Sequence, residues 1–182
     1  MNYKRWIFVA IGLFGIGIVF GLATPASIAS LFSDELTTLE ELGGILAPFT
    51  LSMLIFIFLK NVVALLVSFA FSPIFCLMPI LTLTVNGWLV ALVSSMLIEE
   101  KSLSFVLAGL LPHGVVELPA FFIGEAAALS FGAMAVIALF KKEKRNLLLP
   151  SLRQNLKYLS IALALLLPAA IIETYVTPLL LT

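Results

Sequence analysis

Residues 110–132 read LLPHGVVELPAFFIGEAAALSFG, an apolar run that contains His113, Glu117 and Glu125. The run belongs to a chain with 62% hydrophobic residues, 11% charged residues and a mean hydropathy of +1.21. A soluble domain carries roughly 25% charged residues, so this chain has too few to cover a surface that faces water. Apolar runs long enough to cross a hydrocarbon core of about 30 Å as helices recur along it. The sequence therefore predicts an all-α polytopic membrane helix bundle.

We expect a single integral membrane domain over residues 1–182, with five transmembrane helices. The spans are predicted at residues 6–29, 45–71, 74–98, 113–140 and 156–180. Ser72-Pro73 should form a turn, because proline removes a donor and restricts the residue before it. Pro112 suits the first turn of a helix, so residues 102–111 are predicted to form a short re-entrant or interfacial helix before it. The first run also resembles a signal peptide, but its length favours a span.

Charge predicts the orientation of the five spans. With a cytoplasmic N-terminus, the inner segments hold the basic residues Lys4, Arg5, Lys141, Lys142, Lys144, Arg145, Arg153 and Lys157. The outer loops then hold Lys101 and the acidic segment DELTTLEE at residues 34–41. This asymmetry follows the positive-inside rule. It predicts a multi-pass protein of the cell membrane with its C-terminus outside.

Six polar residues are expected at membrane depth and form the predicted polar cluster: Lys60, Asn61, Asn86, His113, Glu117 and Glu125. A charged side chain there costs roughly 2.5–3.5 kcal/mol, so it should face the bundle interior. His113, Glu117 and Glu125 follow one stripe of span four. A neighbouring stripe of small residues would let another backbone approach: Ala120, Gly124, Ala128 and Gly132. Span four is therefore predicted to be the central helix.

Two alternatives stay open for the charged members of this cluster. Lys60 and Glu125 lie at similar predicted depths, about 22 and 18 Å into their spans, which predicts an ion pair. That pair would be either a structural latch or part of a transport site. The four-residue spacing of His113 and Glu117 could supply two ligands to a divalent metal. Two ligands do not complete a site, so the simpler interpretations are that Glu117 accepts a hydrogen bond from His113 or that both residues cap the helix break at Pro112, and we expect no cofactor.

The motif Pro-His-Gly-x-x-Glu-Leu-Pro-Ala at residues 112–120 resembles the hallmark of the stage II sporulation protein M family. The Asn61 and Asn86-Gly87 positions also resemble that family's pattern, so the resemblance covers about residues 45–132. Lys60 departs from it where many members have a second asparagine, and Glu125 departs where small residues are usual. The resemblance implies a membrane scaffold that recruits partner proteins, including peptidoglycan-degrading ones, without catalysis of its own.

Three hypotheses of function follow. The first is a membrane scaffold that organises protein partners in remodelling of the cell envelope. The second is a small channel or transporter subunit whose polar route is lined by Asn61, Asn86, His113, Glu117 and Glu125. The third is an intramembrane metal-dependent enzyme, ranked last because no nucleophile constellation is recognisable. We expect contact with membrane lipids, no nucleic-acid partner, and a homo-oligomer formed through the glycines of span one.

Overall fold

The computed structural model describes residues 3–25 and 49–180, except for the side chains of Glu100 and His113. The described helices are α1 (Tyr3–Leu22), α2 (Leu51–Phe71), α3 (Leu77–Glu100), α4 (Leu103–Phe140), a 3₁₀ helix (Lys142–Leu147), α5 (Leu148–Tyr175) and α6 (Thr177–Leu180). Five helical stretches in these ranges are long and apolar enough to cross a membrane. The predicted all-α membrane bundle is confirmed. The acidic segment 34–41, and the predicted span ends at 26–29 and 45–48, lie outside the described residues.

The connection between α2 and α3 is a tight turn over residues 72–76. The predicted turn at Ser72-Pro73 is confirmed, but α3 begins at Leu77 and not at residue 74. Helix α3 starts after residue 76 because Phe75 and Cys76 have positive φ angles of 51° and 57°, which a right-handed helix does not accommodate. Cys76 is buried in this turn, and burial raises the pKa of its thiol.

Helix α4 corrects the prediction that a helix starts at Pro112. An apolar helical segment does precede Pro112, as predicted, but it continues without interruption into the long span. The helix begins at Leu103 because Ser102 caps it, its hydroxyl accepting a hydrogen bond from the backbone N–H of Phe105 at 3.2 Å. Pro112 and Pro119 both lie inside the helix. Neighbouring helices in a bundle allow such prolines by compensating for the lost backbone hydrogen bond.

Helix α5 also differs from its predicted span. The prediction of residues 156–180 placed the start after the basic residues, whereas the helix runs from Leu148 to Tyr175 and is followed by α6. Arg153 and Lys157 are exposed on its first turns, where their long side chains can extend to the membrane interface. The start was therefore predicted too late because a helix can continue beyond the apolar core. The predicted end of α4 at Phe140 is confirmed.

Helix α4 lies at the centre of the bundle and contacts each of the other described helices. Its stripe of small residues forms the packing surface: Ala120, Gly124, Ala128 and Gly132. Gly124 lies against the side chain of Leu65 on α2, and Gly132 lies against the backbone carbonyl of Ser72. The prediction of a central fourth span with a small-residue packing face is confirmed.

Helices α2 and α4 run parallel, as expected for the second and fourth of five spans. Asn61 lies beside Glu117, and Ser68 lies beside Glu125, so residue numbers increase in the same direction along both helices. In these two pairs the residue of α4 lies 56 or 57 positions later in the chain than its partner on α2. The register determines which polar residues can meet.

Helices α1 and α3 pack with their backbones in close contact. A Cβ atom added to Gly17 would collide with the carbonyl oxygen of Thr84, and one added to Gly87 would collide with the carbonyl oxygen of Phe14. Glycine is therefore required on both sides of this interface. Such close approach is typical of small-residue faces between membrane helices.

The same contact limits the expected homo-oligomer through the glycines of span one. Gly17 and Gly21 face α3 of their own chain, where a Cβ at either position would be too close to backbone atoms. Gly12 and Gly15 have open space beside them. The homo-oligomer stays a prediction, and along α1 it would have to use the Gly12 and Gly15 side.

Candidate intramembrane polar site

Three of the six predicted polar residues line one cavity between α2, α3 and α4. The side-chain amide of Asn61 donates a hydrogen bond to Oε1 of Glu117 over 3.2 Å. The side-chain amide of Asn86 donates to the carbonyl oxygen of Thr82, one turn earlier on α3, over 2.7 Å. The cavity has a volume of about 100 Å³. The parallel register of α2 and α4 brings Asn61 and Glu117 to the same level.

The groups around this cavity suit water or a small polar group. Each asparagine carries two N–H donors and a carbonyl acceptor, and a carboxylate accepts several hydrogen bonds. A polar cavity of this size has room for a few water molecules, which can hydrogen-bond to groups of this kind. Asn61 fixes the orientation of the Glu117 carboxylate from α2. The arrangement therefore presents two amides and a carboxylate toward one small space.

An apolar groove adjoins the polar cavity. It has a volume of about 350 Å³ and lies between residues 89–97 of α3 and residues 105–110 of α4. Val90 lines both the groove and the polar cavity. The groove is built by the part of α4 before Pro112, so the continuous helix is what creates it. A ligand in the groove would lie directly beside the polar groups.

Glu125 belongs to a separate buried pair. Its side chain is 0% exposed, and the hydroxyl of Ser68 donates a hydrogen bond to its Oε2 atom over 2.6 Å. Among the described residues, none forms a hydrogen bond with its Oε1 atom. Burying a carboxyl group with one oxygen unsatisfied is costly. The pair lies within the packing interface of α2 and α4, and it is separate from the cavity that Glu117 lines.

The predicted ion pair between Lys60 and Glu125 is wrong. Glu125 is bonded to Ser68, while the side chain of Lys60 is exposed on α2. The register explains the error, because Lys60 neighbours Asn61 and so lies near the level of Glu117. That level is eight residues, or about 12 Å, from Glu125 along the helix. The predicted depths were counted from span starts at residues 45 and 113, and they missed this offset.

The metal prediction for His113 and Glu117 stays a prediction. The backbone of His113 lies in α4, four residues before Glu117, as the spacing required. Its side chain is among those that the structure does not describe. The hypothesis of a metal-dependent enzyme depends on the same side chain and is likewise untested.

Sequence reasoning missed Ser68, although a signal for it exists. Asn61 and Ser68 are seven residues apart on α2, which places them on one helix face. Glu117 and Glu125 are eight residues apart on the parallel helix α4. Matching these two spacings would have paired Ser68 with Glu125. It would also have placed Lys60, eight residues before Ser68, near the level of Glu117 and away from that of Glu125.

Tyr3 is a second residue that sequence reasoning missed. Its ring stacks on that of Tyr158 with 3.6 Å between ring centroids, and its hydroxyl donates a hydrogen bond to the carbonyl oxygen of Ile123 over 2.6 Å. These contacts connect the start of α1 to α4 and α5. No sequence pattern marks them, because the three residues are far apart in the chain.

Comparison with known proteins assigns the chain to a family. The family described as Stage II sporulation protein M matches residues 10–178. The protein named "Uncharacterized protein MJ0793" of Methanocaldococcus jannaschii is 25% identical over 173 residues, which cover 94% of this chain and 93% of that protein. No solved structure matches. The family match includes the cavity and the Ser68–Glu125 pair, and the chain therefore belongs to the stage II sporulation protein M family.

Proposed function

We propose that this chain is an integral membrane scaffold that recruits or organises partner proteins in remodelling of the cell envelope. The observation that supports the proposal is the polar cavity of Asn61, Asn86 and Glu117 directly beside the apolar groove of α3 and α4. In this proposal, a transmembrane helix of a partner protein lies along the groove. A polar or basic side chain of that helix reaches into the cavity.

The apolar groove alone would not select a protein partner, because lipid tails are as apolar as a helix surface. Polar contacts supply selectivity, since a polar side chain in hydrocarbon gains by finding a hydrogen-bond partner. Such contacts between membrane helices average about 0.6 kcal/mol and reach about 1.7 kcal/mol. A carboxylate beside two amides favours a partner side chain that donates hydrogen bonds, such as an amide or a basic group.

Site-specific photo-crosslinking in the native membrane tests this proposal. A photoreactive residue would replace Val93 in the groove, and a control would place it at Val63, which is 54% exposed on α2. We expect a defined protein adduct from position 93 that position 63 does not give. Glu117→Gln should reduce that adduct severalfold, while Glu99→Gln, which removes an exposed charge at the end of α3, should leave it unchanged.

Two results would contradict the scaffold. One is the same set of adducts from positions 93 and 63, since the groove would then have no preferred protein occupant. The other is a protein adduct that Glu117→Gln leaves at full yield, since the polar cavity would then play no part in recognition. Expression and thermal stability of each variant should be measured beside the crosslinking yield.

A small channel or transporter subunit is a second candidate, favoured by the position of the cavity. Its polar groups come from three apolar helices, and polar residues at such depth often mark substrate or ion pathways. Ion and proton flux in reconstituted vesicles distinguishes the two candidates. Flux that Glu117→Gln abolishes at unchanged protein content would favour transport. Vesicles without flux, together with the crosslink at Val93, would favour the scaffold.

A further inference from the structure

A second groove lies at the basic end of the bundle, beside the 3₁₀ helix. It has a volume of about 250 Å³, and its lining is apolar except for one charged residue: Pro73, Ala135, Ala138, Leu139, Leu148 and Arg145. The groove thus combines the end of α4, the start of α5 and the turn between α2 and α3. It is separate from the cavity that Glu117 lines.

Arg145 is positioned at this groove by the backbone. Its Nε–H donates a hydrogen bond to the carbonyl oxygen of Ala138 over 3.3 Å. A guanidinium has five N–H donors in a planar fork, so four donors on the two terminal nitrogens remain for another acceptor. Phosphate oxygens match that fork geometry well. The bond to Ala138 restricts the side chain and so reduces the cost of ordering it around a ligand.

The charge around Arg145 is strongly positive. Lys141, Lys142 and Lys144 are exposed on the same short segment, and Glu143 is the one acidic residue among them. The turn over residues 72–76 that completes the groove carries no charged side chain. Each basic residue near a membrane surface strengthens attraction to anionic lipid, and pockets of this kind between helices bind anionic headgroups.

We infer that this groove binds one anionic phospholipid, with the phosphate on Arg145 and an acyl chain against the apolar lining. The groove lies where α4 leaves the apolar core, since Leu139 and Phe140 are 61% and 75% exposed just before the basic segment. A lipid headgroup has its phosphate at this depth and its chains on the apolar side. A single phospholipid therefore contacts both the positive charge and the apolar lining, whereas free phosphate would contact only the charge.

The test measures lipid binding to the intact purified protein by native mass spectrometry. The probes are phosphatidylglycerol and phosphatidylcholine with the same acyl chains, because these differ in net charge. We expect preferential binding of phosphatidylglycerol, and Arg145→Gln should reduce it about fivefold. Arg153→Gln is the matched control, since it removes one exposed positive charge from α5 outside the groove.

A second pair of variants tests the acyl chain. Ala135→Trp fills the groove, while Ile137→Trp adds the same side chain at an outward position of the same helix that does not line it. We expect the groove variant alone to weaken phosphatidylglycerol binding. Inorganic phosphate at millimolar concentration should not displace the lipid.

Three outcomes would overturn the inference. Equal losses from the two arginine variants would mean that the basic segment attracts anions without a defined site. Equal effects of the two tryptophan variants would mean that no chain occupies the groove. Displacement by inorganic phosphate would identify a site for free phosphate. Each outcome leaves the scaffold proposal untouched, because none of these residues contributes to the cavity at Glu117.

Discussion

Replacing Gly17 with alanine should destabilise the protein much more than replacing Gly15, although both lie on α1. A Cβ at Gly17 would collide with the carbonyl oxygen of Thr84 and lie against the backbone of Trp88. A Cβ at Gly15 would meet no atom within 4 Å. The two substitutions add the same methyl group to the same helix. Their comparison therefore isolates the contact with α3.

The expected magnitudes follow from packing. Extra methyl groups in a closely packed interior cost roughly 1–3 kcal/mol. Gly17→Ala should lie in the upper part of that range, because a backbone carbonyl cannot rotate away as the end of a flexible side chain can. Gly15→Ala should change the free energy of unfolding by less than about 0.5 kcal/mol, which is usual for a surface position. A difference of about 2 kcal/mol corresponds to about 30-fold in the unfolding equilibrium constant.

The assay is reversible unfolding of the purified protein in mixed micelles, with SDS as denaturant and helical circular dichroism or tryptophan fluorescence as the signal. Gly87→Ala supplies an independent check, because it collides with Phe14 from the α3 side of the same interface. If Gly17→Ala and Gly15→Ala unfolded at the same SDS fraction, the backbone contact between α1 and α3 would be refuted.

Substitutions that probe three further features of the structure are informative in the same assay. Glu125→Gln should lower the free energy of unfolding by less than about 1 kcal/mol, because the amide oxygen can keep the hydrogen bond from Ser68. Glu125→Ala should lower it by about 2–4 kcal/mol, because it leaves an empty space and an unpaired Ser68 hydroxyl. Equal losses from the two variants would argue against the Ser68–Glu125 pair. Lys60→Met should change stability by less than about 0.5 kcal/mol because its side chain is exposed, and a loss of several kcal/mol would restore the ion-pair hypothesis. Trp88→Phe should lower the free energy of unfolding by about 0.6–1.7 kcal/mol, since the indole N–H donates a hydrogen bond to the hydroxyl of Thr24 over 2.8 Å. In a Thr24→Val background that bond is already lost, so Trp88→Phe should change the stability much less.

The number of spans and the central position of α4 could be predicted from the sequence because both depend on local composition. Hydropathy over about twenty residues identifies a span whatever it packs against. The stripe from Ala120 to Gly132 marks a packing face because only small residues let another backbone approach. These predictions required no knowledge of which helix is the neighbour.

The pairing of polar residues could not be predicted by the same means, because it depends on the register between helices. Asn61 meets Glu117 and Ser68 meets Glu125 only after α2 and α4 have aligned. That alignment includes the close packing of Gly124 against Leu65, which hydropathy does not report. The error in placing the start of α4 then shifted the predicted partner of Lys60 by about two helical turns, from the level of Glu117 to that of Glu125.

The glycine contact between α1 and α3 has a consequence for assembly during synthesis. The described contacts of α1 are chiefly with α3 and α4, so its main partners emerge from the ribosome after α2 has been made. Before α3 is made, Gly17 and Gly21 cannot make their close contacts with its backbone. Docking of α3 therefore supplies the main described packing surface of α1, and a substitution at Gly87 should weaken the retention of the N-terminal helix in the bundle.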